Sequence, residues 1–208
     1  EAGIQEIELA YSRRDRRAAA RLYADGLVTA FKTNLDWIED SKLSGVEVVT
    51  QTARWTYGNT ELCYDHAHQD EFELRFEAGA FTQAYPEVND FLVHSVFEAV
   101  RPRGAPRVLE LHAGIGNFTI PLARAGARVT AYEIDRRASI LCQKNARGAG
   151  VEVETVAKPD EAALNRLSEF DVLLIDPPRS GAKMVARQVA AEPRAPGRIV
   201  YVSCDSAT

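Results

Sequence analysis

Glu110-Leu111-His112-Ala113-Gly114-Ile115-Gly116-Asn117-Phe118-Thr119 decides the fold of this chain. The apolar run Arg107–Leu111 reads as a strand, the glycines as a tight turn, and the residues from Phe118 as a helix start. Lacking a Cβ, Gly114 and Gly116 let the backbone approach a ligand closely, and a helix start offers unpaired N–H groups. A dinucleotide fingerprint has a third glycine where Thr119 stands, which disfavours a nicotinamide cofactor with its pyrophosphate.

Outward from this turn the same alternation continues. Strands are expected at Arg128–Tyr132, Val151–Val156, Val172–Ile175 and Ile199–Val202. Helices are expected over Phe118–Ala125, Arg136–Ala146, Asp160–Leu167 and Ala182–Ala191. Apolar strands alternating with helices give an α/β class with a parallel sheet covered on both faces. Just upstream, Leu92, Val93, Val96, Phe97 and Val100 form one apolar stripe. They predict a core-packed helix over Asp90–Arg101, capped by Asn89 or Asp90.

Residues 1–80 read differently, as a small β-rich or α+β unit. Ile7, Leu9 and Tyr11 alternate, as do Ala18, Ala20 and Leu22, which predicts a hairpin; a helix over the Ala/Arg-rich part is the alternative. Val46–Thr50, Arg54–Tyr57 and Glu73–Phe76 are further strand candidates. The arginine-rich run at 13–17 reads as a solvated turn in preference to a contact for RNA phosphates.

The chain has 208 residues, 46% of them hydrophobic, enough for one large domain or one domain plus part of another. Its net charge of -5 excludes a generally basic nucleic-acid coat but not a local basic groove. Three cysteines, Cys63, Cys142 and Cys204, without a CxxC pair argue for a reducing, cytoplasmic setting and give no support to a metal site. No apolar run is long enough to span a bilayer, so no membrane partner is expected. Cys63 and Cys142 read as structural. The first residue is Glu1, which points to a processed or partial chain.

The strand exits carry the chemistry. Ligands of open α/β sheets bind beyond the carboxyl ends of strands, and an acid about 20 residues past the glycines can accept from both ribose hydroxyls. Glu133 is that acid. A nucleoside without a pyrophosphate fits both Glu133 and Thr119, and S-adenosylmethionine is the common ligand of that kind. After Val172–Ile175 comes Asp176-Pro177-Pro178-Arg179, whose prolines fix the backbone and hold the flanking side chains. Arg179 suits a carbonyl, phosphate or carboxylate partner. Cys204 leaves the last strand on the same rim, which favours a nucleophile over a buried structural thiol.

Together these segments resemble the RNA uracil-5-methyltransferase family. The matching pieces are Phe81-Thr82-Gln83 with Asn89, Glu110–Thr119, Tyr132-Glu133-Ile134-Asp135, Asp176–Gly181 and Tyr201-Val202-Ser203-Cys204, in the family's order. The resemblance implies a Rossmann-like class I methyltransferase domain over 81–208, preceded by part of a central domain at 1–80. It implies that Gln83, His112, Gly114, Gly116, Asn117, Glu133 and Asp176 bind or shape the pocket for S-adenosylmethionine. It implies catalysis by Cys204, with Asp176 and Arg179 beside it, on a uridine of tRNA or rRNA. Competing readings are a methyltransferase of another substrate class and a non-catalytic nucleoside- or RNA-binding fragment. Departures exist: His112 stands where an aromatic is common, and Asp205-Ser206 follow the cysteine where the family usually has Asn-Pro. The family's general-base glutamate and final strands lie beyond the nucleophile, so the resemblance implies a truncated domain, impaired in turnover. Nothing in the sequence specifies an oligomeric state.

Overall fold

The computed structural model describes residues 3–32, 36–64, 72–83, 85–102 and 104–203. They fall into two compact units, one from Glu1–Asp65 with Arg75–Thr82, the other from His66–Leu74 with Gln83–Thr208.

In the first unit, strands β1 (Ile4–Ser12) and β2 (Arg17–Ala24) form the expected hairpin. Ile7 faces Leu22, Leu9 faces Ala20, and Tyr11 faces Ala18. Short helices α1 (Thr29–Lys32) and α2 (Asp36–Asp40) cross over to β3 (Gly45–Val49), parallel to β2, and β4 (Arg54–Gly58) returns antiparallel. Strands β5 (Glu61–Tyr64) and β6 (Leu74–Glu77) pair separately. Ala20, Leu22, Val46 and Val48 alternate onto one face, where Phe31 and Ile38 of the two helices cover them. On β1 that same face stays open, and Ile7, Leu9 and Tyr11 are exposed. The opposite face holds a buried ion pair, Arg21 Nε to Glu47 Oε2 at 2.6 Å, across the β2–β3 register. Gly79 packs onto that guanidinium so closely that a Cβ there would fall 1.8 Å from Arg21.

The second unit begins with helix α3 (Pro86–Val100). It starts four residues earlier than Asp90, because Pro86 occupies the first turn, where its missing N–H costs nothing. Asn89 therefore caps nothing and lies fully buried inside the helix. There follow β7 (Arg107–Leu111), α4 (Thr119–Arg124), β8 (Arg128–Tyr132), α5 (Arg136–Gly148), β9 (Glu154–Val156), α6 (Glu161–Leu164), a 3-10 turn at Leu167–Glu169, β10 (Val172–Ile175), α7 (Lys183–Ala191) and β11 (Arg198–Tyr201). Strand β9 is shorter than expected because the Val151 N–H still closes the end of α5 on Ala146.

The five strands run parallel in the order β11-β10-β7-β8-β9. Successive residues feed opposite cores. Val108, Val129, Ala131 and Leu174 meet α3, α4 and α5 on one face. Leu109, Leu111, Leu173 and Ile175 meet α6 and α7 on the other. All four residues of β10 are buried, as a strand covered on both sides requires. Each fully buried aliphatic side chain contributes roughly 1.5–3 kcal/mol. The chain leaves β7 to one side through β8 and β9, then returns to β10 on the other. The strand order thus reverses between β7 and β10, the place where such sheets open a crevice.

Candidate functional site

The crevice is built first by the exit of β7. His112 takes a left-handed conformation (φ 60°) and Gly114 another (φ 57°), so the chain turns sharply above the sheet. A Cβ on Gly114 would meet nothing within 4 Å, so this backbone borders open space. Gly116 (φ 99°) serves a different end. A Cβ there would stand 3.1 Å from both Cys142 Sγ and Ile120 Cγ1, so its bareness lets the turn pack on α5. Cys142 is buried and its thiol is pushed up to about 12, first by that burial, which fits a structural residue.

Glu133, at the exit of β8, fastens this turn. Its Oε2 accepts from the Gly114 N–H at 2.8 Å and its Oε1 from the Asp135 N–H at 2.8 Å. Each carboxylate oxygen has a second lone pair, so two acceptor positions remain for a ligand's hydroxyls. Asp135 meanwhile caps α5, accepting from the Arg137 and Ala138 N–H groups. Asn117 continues the turn and exchanges two side-chain hydrogen bonds with Asn89, at 2.7 and 3.0 Å. That pair ties the glycine turn to α3. Gln83 is half-buried on the approach to the same helix.

Acidic groups gather here. Glu110 is 1% exposed; Thr119 donates to its Oε2 at 2.7 Å, while its Oε1 has no partner. Burial first, then the charges of Asp176 and Glu133, push this carboxyl up to about 8 against the lowering bond from Thr119. Thr119 is thus a buried anchor, which explains why a third glycine is not wanted. Asp176, beyond β10, is half-buried and raised to about 6, chiefly by loss of water, with His112 pulling the other way.

Asp160 was not among the expected site residues. It precedes α6 but makes no cap; its Oδ2 sits 2.7 Å from His112 Nε2 instead. Burial opposes a charge on His112, yet the bond and charge of Asp160, with Glu133 and Asp176, hold the imidazole above its ordinary pKa. The rule that singles out Glu133, an acid directly past a strand, does not reach Asp160, which stands four residues beyond the end of β9 at Val156.

The structure thus brings His112, Gly114, Asn117, Glu133 and Asp176 to one strand edge. Arg179 lies exposed, three residues past Asp176. Cys204 lies outside the described residues. The strand leading to it runs beside β10, with Tyr201 opposite Ile175, and the Val202 N–H donates to the Ile175 carbonyl at 2.8 Å. The arrangement suits a ligand carrying ribose hydroxyls and positive charge: hydroxyls for Glu133, a cation for the acidic rim.

Comparison with known proteins agrees with this geometry. A family model described as tRNA (Uracil-5-)-methyltransferase matches residues 62–208. A 23S rRNA (uracil(1939)-C(5))-methyltransferase from Nitrosospira multiformis is 37% identical over 146 residues, 66% of this chain and 33% of that protein. Its counterpart from Thiobacillus denitrificans is 39% identical over 140 residues, covering 65% and 32%. The chain therefore spans about a third of the length of the curated relatives it matches. The solved Pyrococcus abyssi tRNA (uracil-54, C5)-methyltransferase, in complex with S-adenosyl-L-homocysteine, superimposes with a TM-score of 0.71 at 21% identity. It covers 95% of this chain and 49% of that one, a likeness of fold.

Proposed function

The chain belongs to the tRNA (uracil-5-)-methyltransferase family, and from that premise we propose that its protein methylates C5 of a uridine in RNA. The observation that carries the reading is the joining of Glu133, past β8, to Gly114, past β7, on the strand edge that borders the switch point. It leaves acceptors for ribose hydroxyls beside open backbone, within an acidic rim that favours a cation. Those features fit S-adenosylmethionine, which supplies an electrophilic methyl group on a positively charged sulfur. Glu133 would hold its ribose. His112, Asn117 and Gln83 would line its pocket, and Asp176 would face its positive charge.

Uracil C5 is a weak nucleophile, and the protein's task is to activate it. The Cys204 thiolate adds to C6, forming a sulfur–carbon bond and leaving an enolate that makes C5 electron-rich. After C5 accepts the methyl group, its proton passes to a base and the thiolate departs, restoring the ring double bond. Arg179 would hold the uracil carbonyl or a neighbouring phosphate. A uridine within folded RNA must be swung out of its stack to reach the thiol. The rRNA-directed names of the relatives at 37–39% identity favour ribosomal RNA over tRNA.

The test is trapping. RNA carrying 5-fluorouridine has no C5 proton to lose, so it should form a covalent adduct with the protein in the presence of S-adenosylmethionine. An adduct that persists in Cys204→Ala removes Cys204 from the mechanism. Failure to transfer label from S-adenosylmethionine to uridine-containing RNA, in a protein that binds both, sinks the activity.

A further inference from the structure

We infer that the outward face of α5, with Arg128 beside its last turn, is a contact surface for the phosphates of bound RNA. The helix runs from Arg136 to Gly148 and contains no Asp or Glu. Arg136, Ile140, Lys144 and Arg147 are exposed and follow one another at spacings of four, four and three, so they share one face. A solvated helix face usually interleaves opposite charges at such spacings. This one carries cations alone. Arg136 stands in the first turn, where a positive charge opposes the helix dipole, so helix stability does not account for it. Among the described residues, Arg128, Arg136, Lys144 and Arg147 form no ion pair and no side-chain hydrogen bond.

The fold sets the two ends of this face. Asp135 caps α5 two residues past Glu133, so the helix starts beside the crevice. It then runs back along the sheet towards the start of β9, and from Arg136 to Arg147 it spans about 16 Å. At that far end a groove of about 910 Å³ is lined by both Arg128 and Arg147, with Gln143 between the charged groups as a neutral donor. Three glutamates line the groove as well. Glu154 and Glu169 are held by Arg166, at 3.4 and 3.1 Å, which leaves Glu152. Asp135, at the other end, is bound to the Arg137 and Ala138 N–H groups. Four unpaired cations thus outnumber the two acids that border them. Guanidinium forks match phosphate oxygens, and a row of cations along a helix can follow several successive phosphates. The chain as a whole carries a charge of -5, so attraction for a polyanion must come from such a local concentration. The inference rests on the RNA reading above, but concerns a surface outside the cofactor crevice.

The test titrates uridine-containing single-stranded RNA onto the 208-residue chain at several salt concentrations. It compares wild type with the neutral variant Arg128→Gln/Arg136→Gln/Lys144→Gln/Arg147→Gln. A charge-retaining variant, Arg128→Lys/Arg136→Lys/Lys144→Arg/Arg147→Lys, is measured beside it. Each released phosphate contact contributes roughly 0.7 to the slope of log affinity on log salt for single strands. The neutral variant should therefore bind about tenfold or more weakly and lose about 3 from the slope. The charge-retaining variant should keep most of the slope, and S-adenosylmethionine affinity should be unchanged in both. Equal RNA affinity and slope in the neutral variant overturn the surface while leaving the proposed activity intact. A charge-retaining variant as weak as the neutral one overturns it too, because the loss is then not one of charge. A wild-type chain that binds S-adenosylmethionine but no RNA overturns the RNA reading and this surface with it. Competition by polyglutamate as strong as by RNA assigns the face to acidic proteins and likewise overturns it.

Discussion

Arg21 and Glu47 bury opposite charges against each other at 2.6 Å in one unit, whereas in the other Glu110, Glu133, Asp160 and Asp176 gather around His112. The first arrangement is closed: the pair is matched across two strands and sealed by Gly79. The second is unbalanced, with a carboxylate oxygen left unpartnered and two carboxyls raised, to about 6 and about 8. A matched buried pair serves the fold. An unmatched acidic rim at a strand edge holds the fold at a cost that a cationic ligand relieves.

The largest effect should come from breaking the closed pair. Arg21→Ala takes from the buried Glu47 the guanidinium held at 2.6 Å, leaving Arg54 at 3.7 Å, and should destabilise the chain by up to about 3–5 kcal/mol. Replacing both by Met and Leu should restore most of that loss. Chemical denaturation measures both. Stability equal to wild type in Arg21→Ala would mean that the pair is hydrated and that the contrast fails.

Next comes the rim. Glu133→Ala removes the link to Gly114 and the acceptors for ribose. It should weaken S-adenosylmethionine binding about 100-fold, some 2.7 kcal/mol, while costing less stability than Arg21→Ala.

A smaller effect is the pH dependence of binding. As pH falls through about 6, Asp176 takes up a proton and its attraction for a cation is lost. Protonation of His112 works in the same direction. Affinity should therefore fall by up to about tenfold per pH unit below 6, and Asp176→Asn should flatten that fall.

The smallest effect belongs to Glu110. Its folded-state pKa is raised from 4.5 to about 8. The stability it contributes is complete below 4.5 and is lost as pH climbs to about 8. Glu110→Gln removes this titration, so the stability profile should be flatter across that window, with about 1 kcal/mol or less of change near pH 5, where little of the titration has occurred. An unchanged slope would mean that Glu110 is not the group titrating there.

Much of this contrast was legible in sequence. The strands of the parallel sheet announce themselves as short apolar runs, and the exits of β7, β8 and β10 carry glycine, acid and proline whose chemistry is local. The rim's completion was not. Asp160 meets His112 across 48 positions in sequence, and it stands four residues past the end of β9, too far from the strand exit for a local rule to single it out. Asn89 was misread for a related reason: asparagine near a helix start looks like a cap, and only the fold shows its amide turned to Asn117. In the first unit the hairpin's alternation was readable, but the short helices α1 and α2 were not. Four or five residues hold too few turns to show periodicity.

The most direct measurement is calorimetric titration of the chain with S-adenosylmethionine at about pH 7.5 and about pH 5, for wild type and Glu133→Ala. The unbalanced rim predicts binding that is tighter at the higher pH and weakened about 100-fold by the substitution. Absence of binding by the folded wild-type chain at both pH values, or equal affinity in Glu133→Ala, would contradict it.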